Sequence, residues 1–358
     1  MSRLIRAVID TQALRHNLNV IRGRAGRARV IAVVKANAYG HGLVSTALAI
    51  QDAGAFAVAR LEEGMSLRAA GITSRILVLE GVFSRSQLED AAHDRLDLVV
   101  HDARQVELLE QTGGAARFAI WIKIDTGMNR LGFAPQDFAA ALERIRRLPT
   151  PARELRLMTH LACADERDGR VTAAQLARFH KLTRALPYET SVTNSAGLLA
   201  GAAPESHWVR PGIALYGASP FEDATAADFG LRPVMTLIST VLTVRQVAPG
   251  ERVGYGGAWT AARHCQIAIV AAGYGDGLHR SFATGTPVLI RGQRAPLVGR
   301  VSMDMIAVDV TGIAGIEVGT PAVLWGEGLA VEEVARQAGT IPYELLCSVS
   351  QRVPLEPH

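Results

Sequence analysis

The chain has 358 residues, 49% of them hydrophobic and 20% charged, with a formal net charge of +4. Its length suits two domains rather than one, and the composition excludes a disordered or fibrous chain. No apolar run approaches the roughly 18 residues that span a bilayer. The opening MSRLIRAVID has no apolar stretch of signal-peptide length. Cys163, Cys265 and Cys347 are too far apart to frame disulfides or a metal knuckle. A soluble cytoplasmic protein with no metal and no membrane partner is expected.

The basic residues are nearly all arginine, since Lys35, Lys123 and Lys181 are the only lysines. Arg22, Arg24, Arg27 and Arg29 form the densest cluster, in a glycine-broken stretch. No aromatic residues interleave there and no binding motif frames it. It reads as a solvated loop, not a nucleic-acid patch.

In chain order, a helical pattern, TQALRHNLNVIRG, comes first. Eight short apolar runs follow, β-branched in part: VIAVV (30–34), AFAVA (55–59), RILVL (75–79), LDLVV (96–100), FAIWIKI (118–124), ELRLMT (154–159), ETSVT (189–193) and HWVRPG (207–212). Such runs read as buried parallel strands. Amphipathic stretches such as QVELLEQ, PQDFAAALERIRR and AAQLARFHKLTRAL separate them. Eight strand–helix units predict a (β/α)8 TIM barrel, although an open doubly wound sheet fits the same periodicity.

Beyond residue 232 the texture changes. VMTLISTVLTVRQV, CQIAIVAAG, PVLIRG and DMIAVDV lie between glycine and proline turns, which predicts a mostly β domain of antiparallel strands. VEEVARQAG reads as a helix and PYELLCSVS as a second. The boundary falls in SPFEDATAADFGLR (219–232), giving a barrel over 1–230 and a β domain over 231–358.

A TIM barrel gathers its active site at the C-terminal ends of its strands. The first run ends at Lys35, the fifth at Lys123 and Asp125, the sixth at His160 and the seventh at Asn194 and Ser195. The eighth carries Arg210, then Pro211 and Gly212. Taken singly, each is a polar residue where a strand meets water. Taken together, a lysine, a histidine, an Asn-Ser pair and an arginine suit a phosphorylated aromatic cofactor. Lys181 falls within a helical pattern and reads as solvated.

Several segments resemble the alanine racemases. VVKANAYGHG (33–42) resembles that family's cofactor-lysine signature. WIKIDTGMNRLGF (121–133), THLACADE (159–166), TNSAG (193–197), VRPGIALYG (209–217), VGYGG (253–257), AAGYGDG (271–277) and GRVSMDM (299–305) follow in the family's order. The likeness runs from the helix start at Asp10 to RVP at 352–354.

The resemblance implies a pyridoxal 5'-phosphate (PLP) enzyme assembled as a head-to-tail homodimer with shared sites, interconverting L-alanine and D-alanine. Lys35 would carry the cofactor, whose aldehyde needs an amine. Tyr39, Ser195 and Tyr343 would hold its phosphate, helped by Asn194 and the Gly212–Ile213 turn. His160 would pack on the pyridine ring and Arg210 would bond its nitrogen. Arg130 would bond the phenolic oxygen and the substrate carboxylate. Tyr255, Met303 and Asp304 would come from the partner chain, with Lys35 and Tyr255 as the two bases. Tyrosine is a weak base at neutral pH, so a supporting cation is required, and Arg210 is the candidate.

Guanidinium has only donors. Arg210 would therefore leave the pyridine nitrogen unprotonated and the ring a weaker electron sink. Lys123 and Arg130 are cations near one barrel end, and in relatives the equivalent lysine is often carbamylated. Tyr343, Tyr274 and Met303 would gate a methyl-sized side-chain space, which rejects serine weakly.

Ser191 departs from relatives that carry histidine three residues before the Asn-Ser pair and leaves the support of Arg210 open; the ending LEPH also departs from the pattern. Diamino-acid and ornithine decarboxylases share the plan, but this chain has neither their glycine triplet nor an acid in place of Arg210. A cofactor-buffering protein would lack the second domain. A broad-specificity racemase is the nearest rival.

Overall fold

A computed structural model describes residues 4–111, 118–148, 152, 154–203 and 205–358. The first three residues of the opening stretch, where no signal is expected, lie outside these. In chain order the first strand is β1 (Arg6–Ile9). Eight strands then close a barrel: β2 (Arg29–Val33), β3 (Ala55–Val58), β4 (Arg75–Val78), β5 (Asp97–Val100), β6 (Ala119–Lys123), β7 (Glu154–Met158), β8 (Glu189–Ser191) and β9 (Trp208–Val209).

All eight apolar runs form strands, and all pair in parallel. Closure is direct, since Arg29 pairs with Trp208 and Val30 with Val209. The open sheet is thereby excluded. The strands are buried on both faces, with Ala55, Phe56, Ala57 and Val58 of β3 all at zero exposure. This explains why their sequences run apolar without alternation.

The N-terminal end of this barrel is plugged by charge. Arg75 bonds Asp97 and Glu154, Arg156 bonds Glu154 and Glu189, and Arg29 bonds Glu189. Trp121 donates its indole N–H to Asp97 at 3.1 Å, and Trp208 to Glu189 at 2.9 Å. The Arg156 guanidinium lies 5.1 Å from the Trp121 ring and 5.5 Å from Trp208, within cation–π range.

The C-terminal strands are β10 (Met235–Val247), β11 (Arg252–Val253), β12 (Trp259–Thr260), β13 (Cys265–Val270), β14 (Pro287–Ile290), β15 (Gln293–Val298), β16 (Ile306–Asp309), β17 (Pro321–Trp325) and β18 (Leu355–Pro357). The main sheet runs β13-β16-β15-β14-β17-β10-β1-β18, and β13 also pairs with β10, so six strands form a ring. The 13 residues of β10 serve both neighbours: its first half pairs with β17 and its second with β13. Both VEEVARQAG and PYELLCSVS contain the helices expected of them, Val331–Gln337 and Pro342–Ser348.

The chain divides into two compact units, residues 18–38 with 42–215, and residues 1–17, 39–41 and 216–358. The first 17 residues therefore group with the β unit, although the sequence assigned them to the barrel. The physical reason is β1. Its four residues pair antiparallel with β10 and parallel with β18, a tie that local periodicity does not reveal. By contacts, the barrel unit runs to Leu215 and the β unit resumes at Tyr216.

Candidate active site

Lys35 directly follows β2 and Val34, half-buried at the C-terminal end of the barrel. The residues after it are unusual. Ala36, Asn37, Ala38 and Tyr39 all have φ between 51° and 54°, a full turn of left-handed backbone without a glycine. L-residues disfavour this hand by roughly 1–2 kcal/mol each, so the turn needs external support. In the barrel unit, Glu63 accepts the Ala36 N–H at 2.7 Å, and the Asn37 side chain accepts the Leu43 N–H at 2.8 Å. The backbone at Lys35 is thus fixed by neighbours rather than by its own preference.

Arg210 is 3% exposed and fully committed in orientation. Its Nη1 donates to Ser191 Oγ at 2.6 Å. Its Nη2 donates to the Thr159 carbonyl at 2.6 Å, the Val192 carbonyl at 3.3 Å and His160 Nδ1 at 3.2 Å. Nε–H takes part in none of these bonds. Ser191 also donates to the Trp208 carbonyl at 3.0 Å. A serine therefore supports Arg210 where some relatives have histidine.

The bond to His160 fixes its chemistry, because Nδ1 can accept only from a neutral ring. Burial holds His160 well below the usual histidine pKa, and the nearby charges of Arg210, Lys123, Arg130 and Lys35 push it the same way. Those four cations stand near one imidazole, so Lys35, Lys123, Arg130, His160 and Arg210 lie together at this end of the barrel.

Lys123 ends β6 and is 8% exposed. Burial lowers its pKa to about 8, with Arg210, Arg130 and Lys35 adding to the shift and Asp125 opposing it. Arg130 sits on a loop shaped by Asp125, whose Oδ1 accepts the N–H groups of Gly127, Met128 and Asn129 at 2.8, 3.0 and 3.1 Å. Arg130 lines a cleft of about 350 Å³ with Phe83, His101 and Gln105. His101 follows β5 and is 7% exposed, its ring Nε2 donating to the Glu80 carbonyl at 3.0 Å. The sequence reading passed over His101, although it stands at the end of the fourth apolar run just as His160 does at the sixth.

Asn194 caps the short helix Ser195–Leu199, its Oδ1 accepting the Gly197 N–H at 2.9 Å and its Nδ2 donating to the Leu161 carbonyl at 3.4 Å. With both ends of its amide used, Asn194 positions Ser195. Ser195 Oγ accepts the N–H groups of Gly212 at 2.9 Å and Ala214 at 3.3 Å, while Ile213 is wholly buried. Ser195 and the Gly212 turn thus lie together after the last two barrel strands, where barrel phosphate sites usually lie.

These groups fit PLP. The cations suit its phosphate and phenolic oxygen, Nε–H of Arg210 suits a pyridine nitrogen, and a neutral imidazole stacks on a ring without adding charge.

In the β unit, the Tyr39 ring stacks on Tyr216 at 4.8 Å and lies tilted 6.1 Å from Tyr343. Burial, with Tyr343 and Cys347 beside it, pushes the Tyr39 phenol far above its ordinary pKa. It remains a hydroxyl donor. Tyr255 lies on the turn Tyr255–Gly257, between β11 and β12, and is 66% exposed. Gly254 and Gly256 on either side have φ of 75° and 66°. Tyr274 and Met303 are also exposed. Their segments are joined, because the Gly275 N–H donates to the Met303 carbonyl at 2.8 Å and the Tyr274 N–H to the Ser302 carbonyl at 3.0 Å. Arg352 bridges Asp304 and the buried Asp276, at 2.7 Å each.

Among the described residues no helix is long and apolar enough to cross a membrane, and no cluster of metal-ligating side chains occurs. A closed parallel barrel with a cationic C-terminal mouth, followed by a ring of β-strands, defines a barrel-type enzyme. Known proteins of this design match closely. The family profile described as "Alanine racemase, N-terminal domain" matches residues 9–220, and "Alanine racemase, C-terminal domain" matches 234–356. An alanine racemase of Nitrosomonas eutropha is 48% identical over 357 residues, 99% of both chains, and one of Shewanella baltica is 46% identical over 353 residues, again 99% of both. The solved biosynthetic alanine racemase of Pseudomonas aeruginosa superposes with a TM-score of 0.96 at 46% identity, and that of Acinetobacter baumannii with 0.94 at 38%, each over 100% of both chains. The chain belongs to the alanine racemase family, a family of amino-acid isomerases.

Proposed function

We propose that this protein interconverts L-alanine and D-alanine with PLP as cofactor, in a cytoplasmic homodimer whose two sites are each built from both chains. The observation that carries the reading is Arg210, a buried guanidinium bonded to a neutral His160. A donor-only group there suits an unprotonated pyridine nitrogen. When bound, the cofactor supplies the electron sink that acidifies the substrate α-proton.

Lys35 holds the cofactor and, once displaced by substrate, takes or returns a proton at Nζ on one face. Tyr255 of the partner subunit does the same at its hydroxyl on the other. Two bases are needed because racemisation removes the proton from one face and returns one to the opposite face. Ser195 and the Gly212–Ile213 turn bind phosphate, the Gly212 N–H holding the Ser195 hydroxyl and Asn194 the start of its helix. Tyr39 and Tyr343 donate hydroxyls to the same anion. Arg130 attracts the substrate carboxylate, and the partner subunit's Met303 and Asp304 complete its surroundings. Tyr274, Tyr343 and Met303 limit the side-chain space to about a methyl group. The neutral amine of Lys123 adds to carbon dioxide and releases a proton to solvent, giving a carbamate that orients Arg130. The exposure of Tyr255 at 66% and Met303 at 54% supports a partner chain covering them.

The test is loss of optical rotation, with α-proton exchange, when the PLP-loaded protein meets L-alanine in heavy water. No change with any small amino acid overturns the reading. A mixture of Lys35→Ala and Tyr255→Phe chains, each inactive alone, then tests the shared site. If sites are shared, each mixed dimer keeps one intact site, and the mixture as a whole regains roughly a quarter of wild-type activity. No recovery overturns sharing.

A further inference from the structure

We infer that Gln175, on the outer helix Arg170–Thr183, is the positioning residue that locks the Arg130 loop to the His160 strand end. The inference rests on the reading above, in which Arg130 meets substrate and His160 meets cofactor.

Gln175 is 1% exposed, and its whole amide is used. Its Oε1 accepts the Ala162 N–H at 2.8 Å. Its Nε2 donates to the His160 carbonyl at 3.0 Å and to Thr126 Oγ1 at 3.2 Å. Two acceptors on one side and a backbone N–H on the other admit only one orientation of the amide.

The hydroxyls beyond it have a fixed direction too. Thr159 Oγ1 donates to the Ile124 carbonyl at 2.8 Å, so it can only accept from Thr126 Oγ1, also at 2.8 Å. Thr126, having given its proton to Thr159, must accept from Gln175. The chain therefore runs Gln175, Thr126, Thr159, Ile124, with every donor and acceptor matched and both threonines 1% exposed. It returns to the end of β6, where Lys123 stands, and Thr159 offers its carbonyl to Arg210. Arg178, on the same helix as Gln175, clamps the Thr126 carbonyl at 2.9 Å.

One outer-helix amide thus sets the register between two mouth segments that it touches only through backbone and a hydroxyl. Buried networks of this kind are stiff when complete and expensive when broken. A substrate-orienting group displaced by even a fraction of an ångström loses binding to its substrate, however far the altered residue lies from the chemistry.

The experiment uses Gln175→Met, which keeps the length and removes all three bonds, Gln175→Glu, which keeps only the acceptor, and Thr126→Val, which cuts one link. Positioning predicts that KM for alanine rises roughly tenfold in Gln175→Met while kcat falls less than about threefold. Gln175→Glu behaves like Gln175→Met. The double variant Gln175→Met/Thr126→Val loses less than the product of the two single losses, because both cut the same chain. Hydrogen exchange in the cofactor-free protein quickens at residues 125–132 and 159–162 and stays unchanged at 80–84.

An unchanged KM, wild-type behaviour of Gln175→Glu, independent effects in the double variant, or exchange rising uniformly across the barrel overturns the inference. Exchange needs no turnover, so it still answers if alanine proves not to be the substrate. Thr126→Val alone gives the same local exchange signature should Gln175→Met fail to fold.

Discussion

Lys123 is the residue whose environment departs most plainly from its type. Its pKa is lowered from 10.5 to about 8 by burial and by the arginines beside it. At pH 7 this raises its neutral fraction from about 0.03% to about 10%. A neutral amine is what carbon dioxide needs in order to form a carbamate, so the same crowding that penalises the cation prepares its conversion to an anion.

The folded pKa is depressed, so in carbon-dioxide-free buffer the penalty is fully present below pH 8. It is relieved as pH rises toward 10.5, where the unfolded chain also loses its proton. Wild-type stability should climb relative to Lys123→Met across that window, followed by chemical denaturation. Adding 13C-bicarbonate near neutral pH should close the gap and give a carbamate carbonyl resonance that is absent from the variant. No such resonance removes the carbamate.

Reading strand ends singles out Lys35, Lys123, His160, Ser195 and Arg210, because a parallel barrel puts such positions at one mouth whatever its details. It does not reach Gln175, and Ser191 stands out only by its departure from relatives that carry histidine there. Ser191, the last residue of β8, accepts from Arg210 at its hydroxyl, and Gln175 sits on an outer helix whose spacing looks like any amphipathic face. Their meaning lies in contacts across 19 and 49 positions of sequence, to Arg210 and to Thr126, which no local pattern encodes.

At the scale of elements, the turn after Lys35 is the feature that propensity argues against. Alanine is a good right-handed helix former, yet Ala36 and Ala38 have φ of 53° and 54°. Glycine tolerates this region without the steric penalty. Ala36 is exposed, so Ala36→Gly should raise unfolding free energy by about 0.5 kcal/mol or more after the entropy of the glycine is subtracted. Activity should fall at the same time, because a looser turn no longer fixes Lys35. Urea denaturation and alanine turnover measured on one preparation check both. A variant less stable than wild type would show that the turn is not strained.

β1 makes the complementary point. Its RAVI sequence resembles the barrel strands, and only its partners β10 and β18, more than 200 residues away in sequence, decide its place.

For the whole barrel, the two ends divide the work. The C-terminal end collects cations whose repulsion is tolerated for binding. The N-terminal end pairs three arginines with three acids across five strands. Arg156 is the hub, its side chain 8% exposed and bonded to Glu154 and Glu189. Arg156→Met leaves Glu154 and Glu189 without that partner, but each is about a third exposed and keeps Arg75 or Arg29, so the change should cost about 1–2 kcal/mol. In the folded fraction the racemisation constants should be nearly unchanged, since bottom-face contacts serve stability. Denaturant midpoint and KM measured together check this, and a shifted KM with an unshifted midpoint would contradict it.

The left-handed turn has one more consequence, a stereochemical one. A residue of D configuration prefers the backbone region that Ala36 occupies, as the mirror image of the usual preference. Semisynthesis placing D-alanine at position 36, where the side chain points into solvent-exposed space, would relax the segment without removing its methyl group. At that position the chain is built from the enantiomer less suited to it, and the better-suited one is the D form of the amino acid it is proposed to racemise.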